Sequence, residues 1–158
     1  MLASRTTNLW RLALWIAVCL GGGLLIGHVF RPDEWFRALE RPSFAPPDWV
    51  FGPVWATLYV LMGIAMWRVD RYHRMRDVTK ARKAFIVQLA VNFAWTPVFF
   101  GFHAIHLALG LIVVLWWAIA VTFVLFHRID RPAAWLLVPY WAWVTFATAL
   151  NGGYSFLN

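Results

Sequence analysis

The chain has 158 residues, 62% of them hydrophobic and only 13% charged, with a mean hydropathy of +0.64 and a net charge of +7. A soluble domain of this size carries about 25% charged residues, so this chain has too few to cover a globular surface. Its excess cations do not point to nucleic acid, because they gather in the loops on one side of a membrane topology.

Five apolar runs, at 12–30, 50–67, 84–102, 107–126 and 133–150, are each 18–20 residues long. About 20 residues at ~1.5 Å rise cross a ~30 Å hydrocarbon core. Every backbone amide inside a bilayer must be paired within its own segment, so such runs are helices. The chain is therefore expected to be an all-α integral membrane protein: one domain over 1–158, a five-helix bundle with helices at about 9–30, 50–69, 83–102, 105–126 and 133–152. The first run is too long for the apolar part of a signal peptide and is kept as a helix. The single cysteine, Cys19, excludes an intrachain disulfide.

In the first helix, Gly23 and Gly27 form a small-xxx-small pair, which allows close helix approach. It serves either a dimer interface or a contact within the chain. The first loop opens with "RPDEWFRALERP", where Asp33 and Glu34 suit the first turn of a short surface helix. It continues as "SFAPPDWVFGPVW", rich in proline and aromatics. Proline fixes φ and restricts the residue before it, so this segment is preorganised. It is expected to roof a cavity with Trp49, Phe51 and Trp55 at the mouth, whereas Trp10, Trp67 and Trp135 suit an interfacial aromatic belt.

The second loop, 70–83, reads as a charged linker at the headgroups. Five crossings put eleven cations on its side, Arg5, Arg11, Arg74, Arg76 and Arg82 among them, against Arg31, Arg37 and Arg41 on the other. By the positive-inside rule the N-terminus is cytoplasmic and the C-terminus outside. A bacterial inner membrane is the expected location, with the outer membrane as the alternative.

Residues three and four apart share a helix face. Trp55 and Tyr59 with Met62 and Met66 form one stripe, Gln88, Asn92, Trp95 and Phe99 a second, and Tyr140, Trp143, Ala147 and Asn151 a third. The fourth helix is apolar all round and is expected to face lipid or a partner. Amides in a membrane helix turn away from lipid, so three stripes rich in rings and amides predict a cavity for a large, flat, mostly apolar ligand. Gln88 and Asn92 could instead only join helices. Pro97 and Pro139 lie inside spanning runs and are expected to bend them. No charged residue lies mid-membrane, which argues against a proton-coupled pump. No metal cluster or nucleophile–base pair stands out; His28, His103 and His106 fall near the outer face, where ordinary hydrogen bonds are commoner than haem ligation.

The segments "PDEWFRALERPSFAPPDWVFGPVWATLY", "QLAVNFAWTPVFF" and "WLLVPYWAWVTFATALN" resemble the signature segments of the TspO/MBR family, the tryptophan-rich sensory proteins and translocator proteins, over about 21–158. The resemblance implies a five-helix bundle, commonly a homodimer, that binds porphyrins such as protoporphyrin IX or haem as ligands, with no required cofactor. It further implies binding of isoquinoline-carboxamide or benzodiazepine-type drugs and, in some members, cholesterol or other lipid. Ligand-lining roles carried over by position fall on Trp35, Pro46, Pro47, Trp55, Tyr59, Asn92, Trp95, Trp143 and Ala147. The sterol motif departs from the pattern, since Leu150 and Tyr154 are followed by "SFLN" with no cation. A transport, sequestration or regulatory role is expected, and light-dependent porphyrin degradation by cavity tryptophans is the alternative.

Overall fold

In the computed structural model, residues 3–72 and 76–158 are described, with side chains for 9–72 and 77–158. Arg74 lies outside the described residues, as do the side chains of Arg5 and Arg76. Among the described residues, five helical spans are long and apolar enough to cross a membrane: Leu9–Val29, Asp48–Asp70, Asp77–Gly101, Ile105–Ile129 and Arg131–Leu157. In space they neighbour one another in the order one, two, five, four, three and back to one. The second and fifth spans meet mainly through Arg131–Leu136 and barely along Val138–Leu157. The bundle is thus tight at the end holding the second loop and open at the end holding the first.

The tight end is closed by packing and by charge. Met62, Ala65, Met66, Val69, Phe85, Ile119, Phe126 and Ala133 are buried there. A Cβ on Gly63 would lie 2.8 Å from Ile16 Cα and 2.9 Å from Ile16 N, so only glycine lets the first span approach this closely. Two buried carboxylates are paired: Asp130 takes the half-buried Arg68 through Nε at 2.8 Å and Nη2 at 3.3 Å, and Asp70 takes Arg82 and, at 3.4 Å, the indole N–H of Trp15.

Three expectations are corrected. The second loop is not a linker over 70–83, because the helix resumes at Arg76 and carries Val78, Ala81 and Phe85 into the core at i, i+3 and i+7. The fourth span does not face only lipid or a partner. It packs along the third and fifth spans and buries Ile105, Ala108, Ile112, Leu115, Ile119 and Phe126, while Leu107, Val114, Trp117 and Val121 remain outside. Pro139 does not bend a continuous helix. The fifth span breaks at Leu137 (φ −84°, ψ −13°) and restarts, so the missing N–H of Pro139 falls in a first turn, where no helical acceptor exists anyway.

Pro97 does interrupt its helix. It opens a π-helical turn, Pro97–Gly101, and its carbonyl accepts from the Phe102 amide at 2.9 Å. The first span holds a second π turn, Ala17–Gly21, with Cys19 fully buried in it. Such turns insert a residue and re-aim the side chains beyond it.

Candidate functional site

The open end of the bundle encloses a cavity of about 550 Å³, within the usual range for small-molecule sites. All five spans and the first loop line it. The second span contributes Phe51, Trp55 and Tyr59, the third Asn92, Trp95 and Phe99, and the fifth Trp143, Ala147 and Asn151. Its rings pack against one another: Trp55 stacks on Tyr59 with centroids 5.4 Å apart, Trp95 on Phe99 at 5.0 Å, and Phe51 meets Trp143 edge-on at 5.8 Å.

A short polar chain leads inward from the wall. The Tyr59 hydroxyl donates to Asn92 Oδ1 at 2.8 Å, Asn92 Nδ2 donates to the Tyr140 hydroxyl at 3.1 Å, and that hydroxyl donates to Gln88 Oε1 at 2.8 Å. Gln88 Nε2 is buried without a partner at the end of the chain. A second link ties the third, fifth and fourth spans: Trp95 Nε1 donates to Asn151 Oδ1, and Asn151 Nδ2 to the Ile105 carbonyl, both at 3.1 Å. The indole nitrogen of Trp143 is buried and unbonded, a donor without an acceptor in the cavity wall.

The sequence-predicted residues therefore divide. Phe51, Trp55, Tyr59, Asn92, Trp95, Trp143, Ala147 and Asn151 share the cavity. Gln88 and Tyr140 do not line it; they are fully buried behind Asn92. Trp49 does not line the cavity and is 75% exposed. Pro46 and Pro47 stiffen the loop without lining the cavity, and Trp35 packs elsewhere. Gly23 presses on the Tyr59 ring, which is the within-chain alternative for that glycine, and Gly27 borders the cavity with open space beside it. Sequence reasoning missed Ile112 and Leu115 of the fourth span and the loop residues Arg31, Phe36 and Arg41. In the sequence these arginines signal only topology.

The roof is held by specific bonds. Asp33 caps the helix Glu34–Ala38 by accepting the Phe36 amide at 3.1 Å, and its other oxygen meets His103 Nε2 at 2.9 Å. His103 turns between the third and fourth spans at φ 55°, and its ring stacks on Trp35 at 4.1 Å. Asn158 and Glu40 exchange two bonds, of 2.9 and 3.1 Å. The Phe36 amide chiefly holds the Asp33 carboxyl below its usual range; desolvation opposes it, and His103 adds to the lowering. A depressed carboxyl stabilises the fold above its unfolded value, about 3.9, and ceases to as pH falls through the folded one. Asp33→Ala is expected to remove the cap and loosen the first turn of this helix. Amide exchange of 34–38 should rise several-fold at pH 7, and unchanged exchange would show that the cap does not hold this helix.

Taken together, the fold and site define a polytopic membrane protein whose helices surround an aromatic, ligand-sized cavity under a fastened loop. The TspO/MBR family model matches residues 15–157. Protein CrtK of Rhodobacter capsulatus is 39% identical over 140 residues, covering 88% of this chain and 87% of that protein. The tryptophan-rich sensory protein of Cereibacter sphaeroides is 39% identical over 142 residues (90% and 88%), and the human translocator protein 36% over 149 residues (90% and 87%). The chain belongs to the TspO/MBR family and is an integral membrane protein.

Proposed function

We propose that this protein binds flat, mostly apolar ligands of the tetrapyrrole type in the cavity, in a transport, sequestration or regulatory role. The observation that carries the reading is the cavity itself: about 550 Å³, walled by rings from three spans that stack or meet edge-on, with few polar groups on its surface. Rings packed on one another are already ordered, so a flat ligand stacking on them costs little side-chain entropy. The eleven-to-three split of cations supports an orientation with the second loop cytoplasmic and the cavity end outside. The homodimer implied by the resemblance belongs to the same proposal. It is supported by how little of the first span is buried within one chain, and cross-linking in native membranes tests it.

The test of binding is titration with protoporphyrin IX, followed by quenching of tryptophan emission. Trp55→Ala and Trp143→Ala should each weaken binding about tenfold, the equivalent of ~1.4 kcal/mol for one lost ring contact. Wild-type affinity in both variants would refute the assignment of this cavity.

A further inference from the structure

The body of the cavity is apolar, but its mouth is cationic. Arg31, at the end of the first span, and Arg41, in the loop, both line it, together with His28 and Asp48. Arg41 Nη2 pairs with Asp48 Oδ1 at 3.0 Å and also donates to the Pro46 carbonyl at 3.0 Å. Arg31 donates through Nε to the His28 carbonyl at 3.0 Å, and its guanidinium lies against the His28 ring. Among the described residues no carboxylate is within ion-pair distance of Arg31. The lining thus carries two guanidiniums and one carboxylate, and only Arg41 is paired with that carboxylate.

We propose that the ligand sits with an acid edge outward, its carboxylates held between Arg31 and Arg41, and that one of them displaces Asp48 from Arg41. The ligand class is a flat apolar body with carboxylates along one edge; the inference rests on reading the cavity as a binding site. A guanidinium takes a carboxylate through two parallel bonds, so each arginine can hold one acid arm. The exchange at Arg41 is cheap. Asp48 and Arg41 keep 67% and 44% of their side chains exposed, so their pair is weakly held in water. A displaced Asp48 stays hydrated at the start of the second span, where the helix N-terminus favours negative charge. Arg41 can retain its bond to the Pro46 carbonyl throughout, keeping the loop fastened while the mouth is filled. Asp48 then acts as a built-in competitor that neutral ligands never need to displace.

Two probes separate this from cavity binding alone: protoporphyrin IX as its free acid, and its dimethyl ester, both titrated in the same detergent. Wild type should prefer the acid by tenfold or more, and the preference should shrink as salt is raised. In Arg31→Gln/Arg41→Gln the acid-to-ester ratio should fall to within twofold of unity, and in Asp48→Asn it should rise about threefold. Trp55→Ala should weaken both probes and leave the ratio near wild type. Equal wild-type affinities for acid and ester, or a double variant that keeps the preference, overturns the acid-edge assignment alone. Failure of wild type to bind either probe overturns the cavity reading, and this assignment with it.

Discussion

Gly23→Leu is expected to abolish ligand binding, lowering affinity for protoporphyrin IX a hundredfold or more. A Cβ at this position would overlap the Tyr59 ring, and the three heavy atoms nearest to it all belong to that ring. Tyr59 cannot step aside freely, because its hydroxyl donates to Asn92 and its ring stacks on Trp55. The open direction left to it is the cavity, which it already lines with Asn92 and Trp55. Leucine at 23 should therefore push the phenol ring into the ligand's space, add its own methyls beside it and break the first link of the Tyr59–Asn92–Tyr140–Gln88 chain. Overpacking of this kind costs about 1–3 kcal/mol of stability, so the variant should still fold while losing the site. Gly110→Leu is the control: a Cβ there meets nothing within 4 Å and the position does not line the cavity, so folding and binding should both be unaffected. Wild-type affinity in Gly23→Leu would mean that the ligand does not occupy this hollow.

The parts of this architecture that were legible in the sequence share one physical cause. A bilayer leaves the backbone only one way to satisfy itself, so run length alone located the five spans. The three stripes were legible because residues three and four apart share a face. A face is not a depth, however. Gln88 and Tyr140 sit on the same stripes as Asn92 and Trp143, yet the chain's own packing covers them completely. The inward face of the fourth span is not legible for a related reason: lipid and protein core accept the same side chains, so a helix apolar all round gives no sign of which face is inside. Trp49 and Phe51 lie two residues apart in one proline-rich segment, and composition could not say that the turn Asp48–Val50 aims one outward and the other inward. The charges of 76–83 hid the spacing of Val78, Ala81 and Phe85, and Arg31 and Arg41 were informative as geometry only once the cavity was known.

Asp130→Ala should be among the most destabilising single changes at the tight end. Its carboxylate is 6% exposed and holds Arg68 through two bonds, joining the second span to the connection between the fourth and fifth. Removing one partner of a buried pair typically costs about 3–5 kcal/mol, because the other charge is stranded. Arg68 keeps 30% of its side chain exposed and can reach toward the headgroups, which lowers the expected cost of Asp130→Ala to about 2–3 kcal/mol. Arg68→Met strands the more deeply buried group and should cost more. The double variant Arg68→Met/Asp130→Leu removes both charges and fills their volume, so it should recover most of the loss. Thermal unfolding in one detergent, at one pH, measures all three. For a chain of this length 1 kcal/mol shifts the midpoint by about 2–4 °C, so Asp130→Ala should fall by roughly 4–12 °C and the double variant by much less. If the double variant lost as much as the two single changes together, the ions would be acting independently, and the tight end would owe its cohesion to Gly63 and the apolar packing around it.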